Sequence, residues 1–141
     1  MSDELNWLSA REMARRFAKG EVSPVDVLEA TLAQLHRVNP VLNAICLLDE
    51  PLAQRLAAES AERWHSGTPL GPLDGVPVAI KDTAHVAGWP MRFGSHATPA
   101  APSTEDTPGV ARLREAGAVF FCKTTTPEFG WKGITLSLIH I

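Results

Sequence analysis

Cysteine is scarce. Cys46 and Cys122 are the only two, and both sit inside apolar runs. They read as buried free thiols of a reducing compartment rather than a disulfide frame. With no Cys-x-x-Cys or His-x-x-x-His spacing, a zinc site is not expected. Long hydrophobic runs are missing too: stretches such as residues 118–122 fall far short of the ~20 residues of a membrane helix. The opening Met-Ser-Asp-Glu-Leu-Asn-Trp has no cationic start and no apolar stretch. A secretory signal is therefore not expected, and the location expected is the cytoplasm. Basic excess is absent, with 13 Lys and Arg against 16 Asp and Glu and a net charge of −3. A surface built to neutralise phosphates, and so a nucleic-acid partner, is not expected on that ground. The four tryptophans are scattered without basic stripes, which removes base stacking as a theme. No Gly-x-Gly-x-x-Gly and no Walker lysine motif occurs. Residues 71–75 are glycine-rich but precede a strand, whereas phosphate loops follow one. No cofactor is expected, and there is no internal repeat or low-complexity stretch.

What remains is an ordinary globular composition. Of 141 residues, 45% are hydrophobic and 21% charged, about one domain's worth of chain. Ser9 with Glu12 three positions on predicts a capping box opening a helix over 9–19, closed by Gly20. Ser23-Pro24, with Asp26 in the first turn, opens a second helix. Its buried stripe is Val25, Leu28, Leu32 and Leu35, and Asn39-Pro40 is its expected end. Residues 42–48 read as a short strand. Residues 49–64 read as an alanine-rich helix closed by Gly67.

Residues 76–80 form a second β-type run ending in Lys81-Asp82, with Pro77 confined to the first ladder position or an edge. Residues 83–105 are a long irregular stretch, the kind that is either functional or disordered. Thr107-Pro108 opens a fourth helix, stopped by Gly117. Residues 118–122 are a further apolar run ending in Lys123. The unit 76–123 thus reads as strand, excursion, helix, strand: an α/β fold with two parallel, right-handedly connected strands covered on both faces.

In open α/β sheets ligands bind beyond the carboxyl ends of strands. Lys81 and Lys123 both stand there, and either is first of all a candidate for a solvated charge. A partly desolvated lysine loses its proton and acts as a base. By this reasoning the two are equivalent. Asp82 reads either as a group orienting Lys81 or substrate, or as a turn residue. Asp74-Gly75 reads as a turn pair. His36 and His65 read as surface residues on helices. His85 and His96 lie in the loop after Lys81, where they line a pocket or face solvent.

The blocks Gly71-Pro-Leu-Asp-Gly-Val-Pro-Val-Ala-Ile-Lys81-Asp82, Gly94-Ser95, Thr107-Pro-Gly-Val-Ala-Arg-Leu-Arg-Glu-Ala-Gly-Ala-Val119 and Lys123-Thr-Thr-Thr-Pro-Glu-Phe129, in this order, resemble the amidase signature family. The resemblance covers residues 5 to about 135, including a helical hairpin around Glu21-Val-Ser-Pro24. It implies the N-terminal part of an α/β/α sandwich, a helical hairpin followed by strands and helices of a central mixed sheet, here incomplete. It also implies hydrolysis of small, non-peptide carboxamides by a Ser–cis-Ser–Lys triad. The lysine of that triad matches Lys81, with Asp82 beside it as a substrate-side or supporting residue. Lys123 matches a frequent position outside the triad, and Cys122 stands where glycine is common.

The glycine-rich block carrying the bridging serine, and the nucleophile block after it, are absent. The chain is therefore expected to be inactive alone. Residues 1–135 read as the front portion of a single amidase domain and 136–141 as a non-native tail, with Ser137 not a nucleophile. A small-molecule amide is the expected partner, no membrane is expected, and the whole enzyme is a possible homodimer. The alternatives are the amide-transferring component of a tRNA-dependent amidotransferase and a non-catalytic βαβ binding module.

Overall fold

A computed structural model describes residues 2–133. The tail 136–141, with Ser137 and His140, lies outside the described residues. In chain order the elements are α1 (Ser2–Leu5), α2 (Ala10–Lys19), α3 (Pro24–Leu42), β1 (Ile45–Leu48), α4 (Glu50–His65), β2 (Pro77–Lys81), α5 (Pro108–Glu115) and β3 (Val119–Thr124), followed by a 3-10 turn at Glu128–Gly130.

Local chemistry explains where the helices start and stop. The Ser9 hydroxyl accepts from Glu12 N–H, but Glu12 turns its carboxylate to Arg15 and Arg16, so only half of the expected capping box forms. At Ser23 the box is complete. Its hydroxyl accepts from Asp26 N–H at 3.1 Å and Asp26 accepts from Ser23 N–H at 2.8 Å. Helix α3 does not end at Asn39-Pro40 as expected. It runs through Pro40 to Leu42 and closes at Asn43, whose φ of 49° is left-handed. Proline's missing N–H forfeits one bond in the last turn. The Asn39 side chain accepts from Ala44 and Ile45 N–H, which fixes the chain as it leaves the helix. The first strand is correspondingly shorter than its apolar run.

The sheet has the order β1-β3-β2. β2 pairs with β3 in parallel, as the strand–excursion–helix–strand pattern requires, and β1 pairs with β3 antiparallel. The sheet is therefore mixed. β3 is buried from Val119 to Lys123. Leu28, Leu32, Ala53 and Ala57 from α3 and α4 pack on Val119, Phe121 and Cys122. On the other face Ile80, Val86, Trp89 and Val110 pack on Ala118 and Phe120. β2 is not covered on both faces as its apolar sequence suggested: Ala79 and Lys81 are exposed, and among the described strands β2 is an edge. Pro77 opens the strand, where its missing donor costs nothing.

Residues 83–105 contain no helix or strand beyond isolated bridges at Ala87–Ser103 and Pro90–Pro102, yet the segment is packed. Val86 and Trp89 are buried, and the Trp89 indole donates to Asp49 Oδ2 at 2.8 Å. Ala87 N–H donates to Asp106, which also pairs with Arg114. Before β2, Asp74 is more than a turn residue. It is fully buried and takes a bidentate pair from Arg63 at 2.9 and 2.7 Å. A Cβ at Gly117 would stand 2.5 Å from its carboxylate, so glycine is required there.

Candidate active site at the strand ends

The parallel register sets Ile80 beside Lys123 and Lys81 beside Thr124, so both lysines leave the sheet at the same end. Alternation along β2 sends Ile80 and Asp82 inward and Lys81 outward: the first two are buried and Lys81 is exposed. Lys123 has the opposite fate. It is fully buried, and its ammonium donates to Pro90 O at 2.7 Å and pairs with Asp82 Oδ1 at 3.1 Å. Residue type and strand-end position made these lysines equivalent. The tertiary structure separates them.

Asp82 ties this region together. Its N–H donates to Thr124 O and its carbonyl accepts from Phe93 N–H. Its carboxylate accepts from Arg92 N–H at 3.1 Å and Gly94 N–H at 3.2 Å besides meeting Lys123. A buried carboxylate is tolerable only when its lone pairs are matched in this way. Of the two readings of Asp82, the contacts show an organiser of the loop that follows Lys81.

Two loops are locked over the strand ends. Gly94, at a φ of 63°, lies so close to Thr126 that a Cβ would stand 2.5 Å from its carbonyl oxygen. Buried Ser95 donates to Glu128 Oε1 at 2.6 Å and accepts from Ala97 N–H. Phe93 and Phe129 both have positive φ, 52° and 53°. Their rings stack 5.8 Å apart, and Phe129 N–H donates to Phe93 O. Left-handed backbone at two phenylalanines is strain that the surrounding contacts must hold. Ser95 and Glu128 were legible only as parts of motif blocks, since their pairing spans the sheet end.

Beneath these loops lies a cavity of about 190 Å³ lined by Cys46, Asp82, Arg92, Ser95, His96 and Lys123, among others. Cys122 is buried as expected, and burial pushes its thiol up to about 12. Cys46 is not buried: the residue is exposed, because a register shift between Ile45 and Leu47 leaves it as the extra residue of a bulged edge strand. Its sulfur donates to Lys123 O at 3.5 Å. Desolvation, aided by Asp82, pushes the thiol up to about 11. Both shifts run against the thiolate form, the reactive one. His36, His65, His85 and His96 are all exposed. His85 shares a hydrogen bond with Ser103, and His96 stands at the cavity wall. Among the described residues no cluster of His, Cys, Asp or Glu is placed to hold a metal ion.

A mixed sheet sandwiched by helices, with titratable groups gathered at the carboxyl ends of two parallel strands, defines an α/β protein with its site beyond the strand ends. The amidase family profile matches residues 26–138, and the chain belongs to that family, the amidase signature proteins. It is 43% identical to an acylamidase of Rhodococcus erythropolis over 93% of this chain and 28% of the relative. It is 37% identical to a component of the glutamyl-tRNA(Gln) amidotransferase of Carboxydothermus hydrogenoformans over 89% of this chain and 26% of the relative. A crystal structure of an amidase superposes with a TM-score of 0.80 at 35% identity, covering 88% of this chain and 28% of that one. The chain thus spans about a quarter of the length of these relatives.

Proposed function

We propose that this chain is the front portion of an amide hydrolase and supplies the base, Lys81, of a Ser–cis-Ser–Lys triad. The observation that supports it best is the placement of Lys81. It stands at the carboxyl end of a strand, its side chain outward, with Asp82 anchoring the following loop beside it. The two serines belong to chain beyond these residues, in keeping with the greater length of the relatives. That chain also covers Lys81, since only a desolvated lysine is neutral enough to accept a proton at pH 7.

Neutral Lys81 takes the proton of the nucleophilic serine through the bridging serine. The serine oxygen bonds to the amide carbon while backbone N–H groups hold the oxyanion. Collapse breaks the C–N bond, and the proton held by Lys81 returns through the relay to the leaving amine. Water then cleaves the acyl ester by the same relay. The substrate is a small carboxamide and the location cytoplasmic. No helix among the described residues is long and apolar enough to cross a membrane.

The test compares amide hydrolysis by the 141-residue chain and by the longer gene product. The short chain is expected to be inactive. The longer one is expected to turn over small carboxamides and to lose roughly 10³-fold in Lys81→Ala, as removal of a general base does. Turnover by the short chain, abolished by Lys81→Ala, sinks the proposal. The similarity to an amidotransferase component favours a second reading, amide transfer within a larger complex. Glutamine-dependent activity appearing only with partner proteins supports that reading over hydrolysis.

A further inference from the structure

We infer that Lys123 and Asp82 are positioning residues for the Lys81 amine: their buried pair holds both the backbone from which Lys81 projects and the balance of charge beside it. The inference rests on the reading of Lys81 as the base.

The geometry carries it. Lys81 is flanked in sequence by two buried residues, Ile80 and Asp82. The backbone N–H and C=O of Asp82 and its carboxylate are all engaged, by Thr124, Phe93, Arg92, Gly94 and Lys123. Lys123 is tied in turn to Pro90. The Cα of Lys81 is therefore fixed on both sides while its side chain extends outward. A buried ion pair is often no better for stability than a well-packed apolar pair, and this one sits next to the base in the chain. Asp82 adjoins Lys81 in the chain and Lys123 lies across the register from Ile80, so removing either charge of the pair leaves the other uncompensated within reach of Lys81.

Other charged or titratable groups surround the pair. Arg92 and His96 come from the loop after β2, Cys46 from β1 and Glu128 from the turn after β3. Arg92 turns to Thr98 and the Ser95 carbonyl, and Glu128 to the Ser95 hydroxyl. Arg92 and Gly94 touch the pair only through their backbone N–H groups on the Asp82 carboxylate, bonds that the side-chain oxygen of an asparagine can still accept, so Asp82→Asn removes the charge with the least disturbance of its neighbours.

The test is the pH profile of kcat/KM in the full-length enzyme, whose acid limb reports deprotonation of the base in the free enzyme. Lys123→Met leaves the Asp82 carboxylate uncompensated, favours protonated Lys81 and moves the limb to higher pH. Asp82→Asn leaves the Lys123 cation uncompensated and moves it to lower pH. Shifts of about half a unit to one unit in opposite directions are expected. A fall in kcat of about tenfold or more should accompany them through misplacement of the amine. The double variant, with neither charge, should bring the limb back toward the parent. A merely structural pair would lower the yield of folded enzyme without moving the limb. Should Lys123→Met fail to fold, Asp82→Asn and the double variant still carry the sign. Shifts of the same sign, or none, overturn the inference while leaving Lys81 as base. Turnover retained in Lys81→Ala overturns both.

Discussion

Arg63 and Asp74 show how much one buried pair organises. The carboxylate is fully buried and the guanidinium is about one-quarter exposed. Around them Leu70 N–H donates to the carboxylate, and the Trp64 indole donates to Asp74 O. Burial alone would raise the Asp74 carboxyl, but its bonds to Arg63 and to Leu70 N–H outweigh burial and hold it below its ordinary 3.8. The Arg114 guanidinium does the same for Asp106. Both carboxyls bind protons less readily folded than unfolded. Their stabilisation is therefore complete above about pH 5 and is lost as pH falls below the unfolded value. Arg63→Met should cost about 3 kcal/mol in urea unfolding near neutral pH, because it leaves a buried charge unpaired. It should also flatten the loss of stability between about pH 5 and pH 3. An unchanged acid limb in the variant would show that Asp74 does not contribute it.

At this same scale the two lysines mark where reading a sequence stops. Asp82 and Lys123 were visible as strand-end residues. That Lys123 ends an all-buried run was a signal that it points inward, but its partner lies just past the end of another strand. The Ser95–Glu128 bond and the stacked Phe93–Phe129 pair likewise join residues more than thirty positions apart in the chain, where local pattern carries no information.

Among the elements, the helices were the most legible, since their signals are local. Ser23, Pro24 and Asp26 mark the start of α3 in three letters. Ser23→Ala should cost about 1 kcal/mol by removing the cap on Asp26 N–H. Thermal unfolding would measure it, and no loss would mean that α3 is held by packing alone. The end of α3 was misread because a proline near a helix terminus forfeits only one bond. The strands were found, and so was the parallel pairing of β2 with β3, but not their bulges. The shift between Val78 and Ala79 and the shift at Cys46 depend on fitting two strands together. The second is what turns Cys46 out of the core.

For the whole molecule, the consequence lies in its edges. β3 is paired on both sides, whereas among the described strands β1 and β2 each pair on one side only. An unpaired strand edge beside exposed Ala79 is a template for another chain. The 141-residue chain should therefore associate with rising concentration in sedimentation velocity, and Ala79→Lys should reduce that association. A monomer at all concentrations with a sharp thermal transition would contradict the expectation.

The chain alone determined its class. Capping residues, apolar periodicity and the ordered motif blocks sufficed for an α/β chain, for the amidase family and for the two strand ends where the chemistry gathers. These depend on neighbours within a few positions and on the order of blocks along the chain. Only the tertiary structure decided which lysine is buried and which is free, that Asp82 binds the loop over the strand ends, that β2 is an edge and that Cys46 faces out. Those outcomes depend on which strands lie side by side and in what register, and that is set by packing across the sheet rather than by any run of adjacent residues.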